Sequence, residues 1–405
     1  MSAHPLTDAA LLALIDERLD RRYLTEIALE LAQVPTAVTP SFDTLVEPDD
    51  PMLVQYVQHV VRPELMRLGM YDLIDAPRNN LVVRLGAGQS EQVLLLQNYT
   101  PIQHHNLMEN PFQARIANAR AYGLDEPAIF AQGISQNKGH QATMLAVLKL
   151  LHDAGLALRG RLYWAINNEG RSSHACSYAI LDSLDMQPTF GILQNRTGLR
   201  LSMGNRGRLD VSVHVRGKTT HSSRPQLGLS AIEGANEVIN RLKRLNWPDQ
   251  HPILGGRQAV VYKVRYEPVL PHTLPSDAYL TIDRRLIPGD TLETATDEIR
   301  AVIGDMAPYE VRITQGVAML PALVEPEHAG VQALQAANRA VRGQPAETFY
   351  GQGTFDAGGP CARGVPTVMY GASGGDWPTG IDYVPLSALE TEARVLAFFI
   401  LRQLM

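Results

Sequence analysis

The order of the strand and helix patterns most constrains what this 405-residue chain can fold into. Apolar runs typical of buried strands alternate with amphipathic helical patterns, and this alternation predicts a parallel or mixed sheet covered on both faces. The predicted strands are 80–85, 92–97, 161–167 and 190–194. The predicted helices are 8–33 with Thr7 as N-cap, about 52–69, 139–155 and about 172–184.

The pattern changes in the middle of the chain. Residues 208–217 alternate apolar and polar side chains, as a half-exposed strand does. A helix (230–244), two strands (259–267 and 277–285), a helix (292–306) and a strand (309–315) follow. The order β-α-β-β-α-β predicts a ferredoxin-like unit.

The α/β pattern then returns, with a helix near 329–342, a strand at 366–370 and a last helix at 387–404. This return predicts a small domain inserted into a larger one. We expect a discontinuous larger domain of residues 1–205 and 316–405 and an inserted domain of residues 206–315.

Composition excludes several classes of function. A net charge of −6 gives no basic surface for nucleic acid or an anionic membrane. No apolar run is long enough to span a bilayer, and the N-terminus lacks the pattern of a signal peptide. Two cysteines do not form a disulfide framework, and they favour a reducing, cytoplasmic setting.

Seven short strings carry a family resemblance. They are LLLQNYTPIQ (94–103), GISQNKGHQATMLA (133–146), INNEGRSS (166–173), ILQNR (192–196), KTTHSS (218–223), IDRRLIPGDT (282–291) and GASGGDWPTGIDYVPL (371–386). In this order the chain resembles the zinc aminoacylase and carboxypeptidase family, which includes acetylornithine deacetylase, succinyl-diaminopimelate desuccinylase and carboxypeptidase G. The resemblance implies an α/β fold, with a large mixed-sheet, aminopeptidase-like catalytic domain and an inserted ferredoxin-like lid and dimerisation domain.

The resemblance also implies where a pair of zinc ions would bind, and this chain departs from the family at those positions. Of the implied ligands, only Glu169 is kept. The other implied ligand positions hold Asn98, Gln136, Asn195 and Thr379, the general base is replaced by Asn168, and a supporting Asp is replaced by Thr100. Neutral amides are poor zinc ligands. We therefore expect no metal and no other cofactor.

The replacements are nearly all polar amides or hydroxyls. Exchanging Asp for Asn or Gln removes the repulsion between carboxylates while keeping hydrogen-bonding groups. Random decay after loss of function would scatter the replacements over more chemical types. We expect a neutral polar pocket in which Asn98, Gln136, Asn168, Asn195 and Thr379 contact a small carboxylate or amide ligand.

Two ionisable residues at motif positions are candidates for catalysis. Buried without zinc, Glu169 would exchange a proton as a general acid or base, unless it is simply paired with a basic residue such as Lys138. His221 matches a family histidine that reaches a neighbouring subunit's site, although a lone surface histidine is the plainer interpretation.

Three further residues are candidates for ligand binding. Arg285 matches an arginine that commonly meets a substrate carboxylate, with a salt bridge to Asp283 as the alternative. Arg206 contacts the ligand or packs structurally, and His272 contacts the ligand or is a turn residue.

Relocated side chains are the other source of chemistry. His104, His105, His140 and His174 lie near the motif strings and would be needed to rebuild a zinc site. Neither cysteine lies in a nucleophile motif, and Cys361 is the better candidate of the two.

Three functions remain open. The first is a metal-independent enzyme that uses Glu169 and His221 to hydrolyse, transfer or isomerise an N-acyl amino acid or a peptide-like carboxylate. The second is a non-catalytic protein that binds such a ligand, and the third is a zinc amidohydrolase with a rebuilt site. Relatives imply a homodimer, with residues 208–244 supplying an edge strand and a helix.

Overall fold

The computed structural model describes residues 6–37, 46–102, 108–169, 173–375 and 380–405. The chain divides into two compact units. The larger unit comprises Met1–Gly204, Leu323–Phe349 and Asp356–Met405, and the smaller unit comprises Asn205–Ala322 and Tyr350–Phe355. Among the described helices, none is long and apolar enough to cross a membrane.

The larger unit is built on a mixed sheet. Its helices, in chain order, are α1 (Asp8–Arg18), α2 (Arg21–Gln33), α3 (Pro51–Tyr56), α4 (Arg62–Arg67), α5 (Gly139–Asp153) and α6 (Ala175–Asp182). Its strands up to the smaller unit are β1 (Leu73–Ala76), β2 (Asn80–Leu85), β3 (Val93–Tyr99), β4 (Arg115–Asn118), β5 (Pro127–Phe130), β6 (Arg161–Asn167), β7 (Phe190–Gln194) and β8 (Leu201–Asn205).

The smaller unit contributes the next elements along the chain. They are β9 (Gly207–Arg216), β10 (Thr220–His221), α7 (Ala231–Leu242), β11 (Gln250–His251), β12 (Gly255–Gly256), β13 (Gln258–Glu267), β14 (Thr273–Leu274), β15 (Asp277–Leu286), α8 (Leu292–Ile303) and β16 (Glu310–Met319). The remaining elements are β17 (Ala322–Leu323), α9 (Ala329–Arg342), β18 (Thr348–Gly351), α10 (Gly358–Ala362), β19 (Thr367–Tyr370), β20 (Tyr383–Pro385) and α11 (Leu386–Leu404).

The centre of the larger sheet runs in the order β1-β2-β6-β3-β7-β19-β8. Strands β6, β3, β7 and β19 are parallel to their neighbours within this group, and every residue of β3 and β7 is buried. The predicted strands 161–167 and 190–194 are confirmed. Since parallel strands end at the same edge of a sheet, the residues that follow β3, β6 and β7 are brought together.

Two predicted helices are interrupted. The predicted helix 8–33 is two helices, because Asp20 leaves the helical conformation and its carboxylate accepts a hydrogen bond from the Tyr23 amide, which starts α2. The predicted helix 52–69 contains a π-helical turn, Val57–Val61, just before Pro63. Proline has no amide hydrogen to donate, so the regular bonding pattern is displaced there. Thr7 is confirmed as the N-cap of α1.

The larger unit also contains a three-stranded antiparallel sheet, β20-β5-β4, which the sequence patterns did not predict. Its strands have only three or four residues, too short for an alternation to be recognised. Phe130 and Tyr383 stack across it with ring centroids 5.2 Å apart.

The smaller unit confirms the predicted β-α-β-β-α-β order. Its sheet is antiparallel, in the order β13-β15-β9-β16, and α7 and α8 pack on one face. One expectation was wrong: β9 lies between β15 and β16, so residues 208–244 cannot supply an edge strand. The edges are β13 and β16.

A buried arginine joins the strands and helices of the smaller unit. Arg284 is fully buried in β15; its guanidinium lies 2.7 Å from Glu298, 3.6 Å from Asp290 and 4.6 Å from the centre of the Trp247 ring. Removing one partner of a buried ion pair leaves the other charge desolvated without compensation.

We expect Arg284→Met to lower the free energy of unfolding of the smaller unit by about 3 kcal/mol. The exposed pair of Arg300 and Asp297 provides the control, and Arg300→Met should cost about 0.5 kcal/mol or less. Urea denaturation followed by circular dichroism measures both. Equal effects of the two substitutions would contradict this role for Arg284.

Candidate functional site

Polar side chains gather where three parallel strands end. Asn98 lies one residue before the end of β3, Asn168 directly follows β6, and Asn195 directly follows β7. Asn98 is opposite Ile166 and Gln97 is opposite Leu193, so these positions are nearly level across the sheet. We call Asn98, Gln136, Asn168, Glu169 and Asn195 the strand-end site.

The orientations of two amides follow from their partners. The Trp164 indole nitrogen, which can only donate, lies 2.5 Å from Asn98 Oδ1. The Arg196 backbone amide donates to Asn195 Oδ1 at 2.8 Å. Their Nδ2 atoms are buried and, among the described residues, have no hydrogen-bond partner. Asn98 and Asn195 therefore present N–H donors.

Asn168 has the opposite orientation. Its side-chain nitrogen donates to the Asn79 carbonyl, and its backbone amide donates to Asn80 Oδ1 at 3.0 Å. The Asn79 carbonyl lies in the turn between β1 and β2, where Arg78 and Asn79 have φ angles of 65° and 57°, and Asn80 is the first residue of β2. Asn168 Oδ1 is buried without a partner in the described part of the chain, so it presents an acceptor.

Gln136 lies in the π-helical turn Ile134–Lys138, and its side chain is buried. The backbone amides of Gly133 and Ser135 donate to the buried Asp382 carboxylate at 2.6 and 3.2 Å. Burial raises the pKa of Asp382, and hydrogen bonds from this turn partly oppose that shift. The turn that carries Gln136 is thus held in place by Asp382.

Glu169 is buried, and its carboxylate is hydrogen-bonded to residues nearby in the chain. Its carboxylate accepts hydrogen bonds from the Ser173 hydroxyl and, at 2.6 Å, from the Cys176 backbone amide in the first turn of α6. The Arg78 guanidinium lies 4.0 Å away. A carboxylate in this position caps a helix N-terminus, where the helix dipole favours negative charge. The sequence patterns did not predict this structural role.

Lys138 does not pair with Glu169 in any described contact, contrary to the alternative considered from the sequence. Its ammonium group donates to the Val34 carbonyl at the end of α2, and it lies 5.3 Å from the centre of the Tyr56 ring and 5.8 Å from that of Phe112. Burial lowers the pKa of Lys138 to about 7.

Two histidines considered for a rebuilt metal site are each bound to a carboxylate. His140 Nδ1 lies 2.9 Å from Glu392, and His174 Nδ1 lies 2.7 Å from Asp356. Within the described ranges, no three His, Cys, Asp or Glu side chains group as metal ligands. His104, His105 and Thr379 lie outside the described residues.

The cysteines are poorly placed for nucleophilic chemistry. Burial raises the pKa of Cys176 to about 12 and also raises that of Cys361. Because the thiolate is the reactive form, neither thiol is activated.

The remaining candidates lie within the smaller unit. His221 is exposed, and Ser223 contacts its Nδ1 through the hydroxyl at 2.8 Å and the backbone amide at 3.2 Å. The His272 ring centre is 6.2 Å from that of His221, and His272 has a φ angle of 52°, as a turn residue does.

The two arginines proposed as ligand-binding residues both contact other residues of the smaller unit. Arg285 contacts Asp283 at 2.8 Å and the Thr354 hydroxyl at 2.9 Å, so the salt bridge considered from the sequence is present. Arg206 donates to the Leu254 carbonyl at 2.7 Å. Burial, and then the charge of Arg285, lower the pKa of Arg206.

Comparison with known proteins shows which domain model and which solved folds this chain is similar to. Residues 203–310 match the family model of the peptidase dimerisation domain. An M20 family metallo-carboxypeptidase from Sulfolobus solfataricus superimposes with a TM-score of 0.76, at 15% identity over 93% of this chain and 98% of that one. A tripeptidase from Staphylococcus aureus gives a TM-score of 0.71, at 18% identity over 95% of this chain and 100% of that one.

The described chain has the fold of the M20 metallo-carboxypeptidase, and residues 203–310 match a peptidase dimerisation domain. The predicted fold class is confirmed: a mixed-sheet catalytic domain is joined to an antiparallel dimerisation domain. At this level of identity, the likeness to solved M20 structures concerns the fold alone.

Sequence relatives match over part of their length. The uncharacterized protein YgeY of Escherichia coli K12 is 27% identical over 176 residues, 43% of this chain and 44% of YgeY. An acetylornithine deacetylase of Aliivibrio salmonicida is 28% identical over 175 residues, 42% of this chain and 43% of that enzyme. The matched segments thus span less than half of these M20 relatives.

Lys138 makes stability depend on pH. Between its folded pKa of about 7 and its ordinary value of 10.5, the unfolded chain binds a proton that the folded chain does not. The stability contributed by this site therefore rises with pH across that window, and below pH 7 the whole cost of burying the cation is present.

From pH 7 to pH 9, the free energy of unfolding of the native protein should rise by about 2 kcal/mol relative to Lys138→Met. Urea denaturation at both pH values measures the difference. Lys149→Met is the control, because ion pairs with Asp153 and Asp20 raise the pKa of Lys149 and keep it charged throughout. The same pH dependence in both variants would count against this assignment.

Proposed function

We propose that the strand-end site binds the acyl-amide group of a small N-acyl amino acid or peptide-like carboxylate without a resident metal ion, and that Glu169 is the proton-transfer group if the ligand is turned over. The observation that carries this proposal is the fixed orientation of three amides. Asn98 and Asn195 present donors, and Asn168 presents an acceptor.

An acyl amide is complementary to this arrangement. Its carbonyl oxygen has two lone pairs and accepts from two N–H donors, while its N–H donates to a carbonyl oxygen. A buried polar atom without a hydrogen-bond partner has a large free-energy cost. A ligand that supplies the missing partners removes this cost, which makes its binding more favourable. The ligand named here also agrees with the acetylornithine deacetylase relative.

The same orientations do not fit zinc. An N–H group cannot donate a lone pair to a cation, and Asn98 and Asn195 present that group where the family resemblance implies ligands. Glu169 supports the same conclusion, because its described hydrogen bonds hold the start of α6. No step of the proposed function runs through a metal.

A second candidate, binding without catalysis, is favoured by the same Glu169 contacts. A carboxylate held by hydrogen bonds at the start of a helix is restrained from moving toward a substrate. For His221, a catalytic role stays a prediction from the family resemblance.

Ligand binding tests the proposal. Isothermal titration with N-acetyl, N-succinyl and N-carbamoyl amino acids should find a saturable ligand, and Asn98→Leu or Asn195→Leu should weaken its binding about tenfold, as loss of one buried hydrogen bond does. The control is the exposed Asn240→Leu. Unchanged affinity in both site variants would place the ligand elsewhere.

Glu169→Gln separates the two candidates. In the enzyme, this change should lower kcat about 100-fold or more while binding is kept, the usual size of a general acid–base contribution. In the binding protein, no turnover is measured in either form, and the substitution lowers only the melting temperature. Full turnover in Glu169→Gln would remove Glu169 from the chemistry.

Metal content gives an independent prediction. The purified protein should contain well under one zinc ion per chain by elemental analysis. The triple substitution Asn98→His, Gln136→Asp and Asn195→Asp restores the ligand types that the family resemblance implies, and should raise zinc uptake in equilibrium dialysis. Stoichiometric zinc in the native protein, released by a chelator with loss of activity, would contradict a metal-independent site.

We also propose that the chain forms a homodimer through the β13 edge of the smaller unit. The matched model is a dimerisation domain, and β13 ends the sheet order. Val264 and Tyr266 face buried partners on β15 yet are 50% and 42% exposed. An apolar edge strand is a template for pairing with another chain.

Light scattering should give twice the chain mass of 44.5 kDa at micromolar concentration. The double substitution Val264→Asp and Tyr266→Asp should shift the protein to the monomer mass, because it would bury charges in the interface. Val317→Asp, on the opposite edge strand β16, is the matched control and should stay dimeric. A monomeric native protein would refute the proposal.

A further inference from the structure

The exposed face of the smaller unit's sheet carries a second polar site. Along β9 and β15, the buried residues Val213 and Leu280 alternate with residues that point away from α7 and α8. Two of the outward rows across the four strands line this site. One row is Arg265, Tyr279, His214 and Arg312, and the other is Lys263, Thr281, Ser212 and Thr314.

The side chains of the two rows differ in length and chemistry. Ser212, Thr281 and Thr314 are short and bear hydroxyls, whereas the neighbouring row bears long cationic and aromatic side chains. A cavity of about 300 Å³ lies between and over them, lined by both rows. That volume suits a small molecule and is at the lower end for ligand pockets.

The charged side chains that line the cavity itself are cationic. Lys263, Arg265 and Arg312 line the cavity, and none of the side chains that line it is a carboxylate. Acidic residues lie on both flanks of the cavity: Glu267, Asp277 and Glu310 follow one row, and Asp210 and Asp283 follow the other. Asp283 pairs with Arg285 at 2.8 Å, and Asp210 lies 3.4 Å from Arg208. Asp277 binds His214 at 2.8 Å and Ser276 at 2.5 Å, and Glu310 lies 3.8 Å from Arg216.

The wall of the site is held by stacking. The Tyr279 and His214 rings are nearly parallel, 12° apart, with centroids separated by 4.5 Å. The Arg265 guanidinium also lies over the Tyr279 ring, 5.5 Å from the ring centre. A guanidinium placed in this way loses less conformational freedom when it binds an anion.

We infer that this face binds a small oxyanion with two or more negative charges, such as a phosphate-bearing or polycarboxylate metabolite. Hydroxyls and cations together match the oxygen atoms of such anions, and arginine binds them through paired hydrogen bonds. This site lies wholly within the smaller unit and does not depend on the proposed function of the strand-end site.

Titration calorimetry of the full-length protein in 0.15 M NaCl tests this inference, with inorganic pyrophosphate and citrate as probes. At least one of them should bind saturably, at one per chain. The double substitution Arg265→Gln and Arg312→Gln should weaken that binding at least tenfold. Arg216→Gln lies on the same face one row away, pairs with Glu310, and should change the affinity less than twofold.

A further variant distinguishes this site from the strand-end site. Asn98→Asp places a carboxylate in the strand-end site, where it would repel an anion, and it should leave pyrophosphate and citrate binding unchanged. Loss of binding in Asn98→Asp with retention in the double arginine variant would overturn the inference. So would equal affinities in the native protein and the double variant, or binding of long polyanions such as heparin without binding of either small probe.

Discussion

The larger unit depends on one buried carboxylate. Glu392 of α11 is fully buried and accepts hydrogen bonds from His140 of α5, from Gln194 at the end of β7 at 2.8 Å, and from the Ala372 backbone amide at 3.0 Å. The other ring nitrogen of His140 faces the Ser135 carbonyl at 3.1 Å, so both ring nitrogens face acceptors. Removing any one partner would leave a buried charge incompletely paired. Glu392 thus ties two helices to the strand end beside Asn195.

Near Glu392, the strand-end amides are oriented by groups that can only donate or only accept a hydrogen bond. An indole donates, and a backbone carbonyl accepts, so Asn98 and Asn168 cannot exchange the roles of their oxygen and nitrogen atoms without losing a hydrogen bond. At position 195, where the resemblance implies Asp, a carboxylate would accept from the Arg196 backbone amide equally well and would present a second acceptor. The exchange of acid for amide therefore changes what the site offers, from an acceptor to a donor, while the surrounding contacts stay the same.

The sequence predicted the strands, the inserted unit and the motif positions, because these follow from the spacing of apolar residues and the order of the motifs along the chain. It could not predict which side chains, distant in the chain, bind one another. His140 and His174 were considered as metal ligands because they lie near motif strings, but Glu392 and Asp356, which bind them, are 252 and 182 residues further along the chain. Glu169 was expected either to exchange a proton or to pair with a basic residue such as Lys138, and no local pattern places its carboxylate at the start of α6. The break at Asp20 and the π-helical turn near Pro63 had local signals, a capping residue and a proline, which a continuous apolar period concealed.

The burial of the Glu169 carboxylate is compensated by neighbouring groups of the protein. A buried carboxylate needs compensating charge or hydrogen bonds. Here the compensation comes from Ser173, the first turn of α6 and the Arg78 guanidinium, all within the larger unit. The residue that resemblance implies as a ligand is therefore satisfied by the protein itself. Among the buried side-chain atoms that have no hydrogen-bond partner in the described residues, those of Asn98, Asn168 and Asn195 lie at the ends of neighbouring strands. Because buried polar groups without partners oppose folding, a ligand that bonds to these three amides would remove that cost.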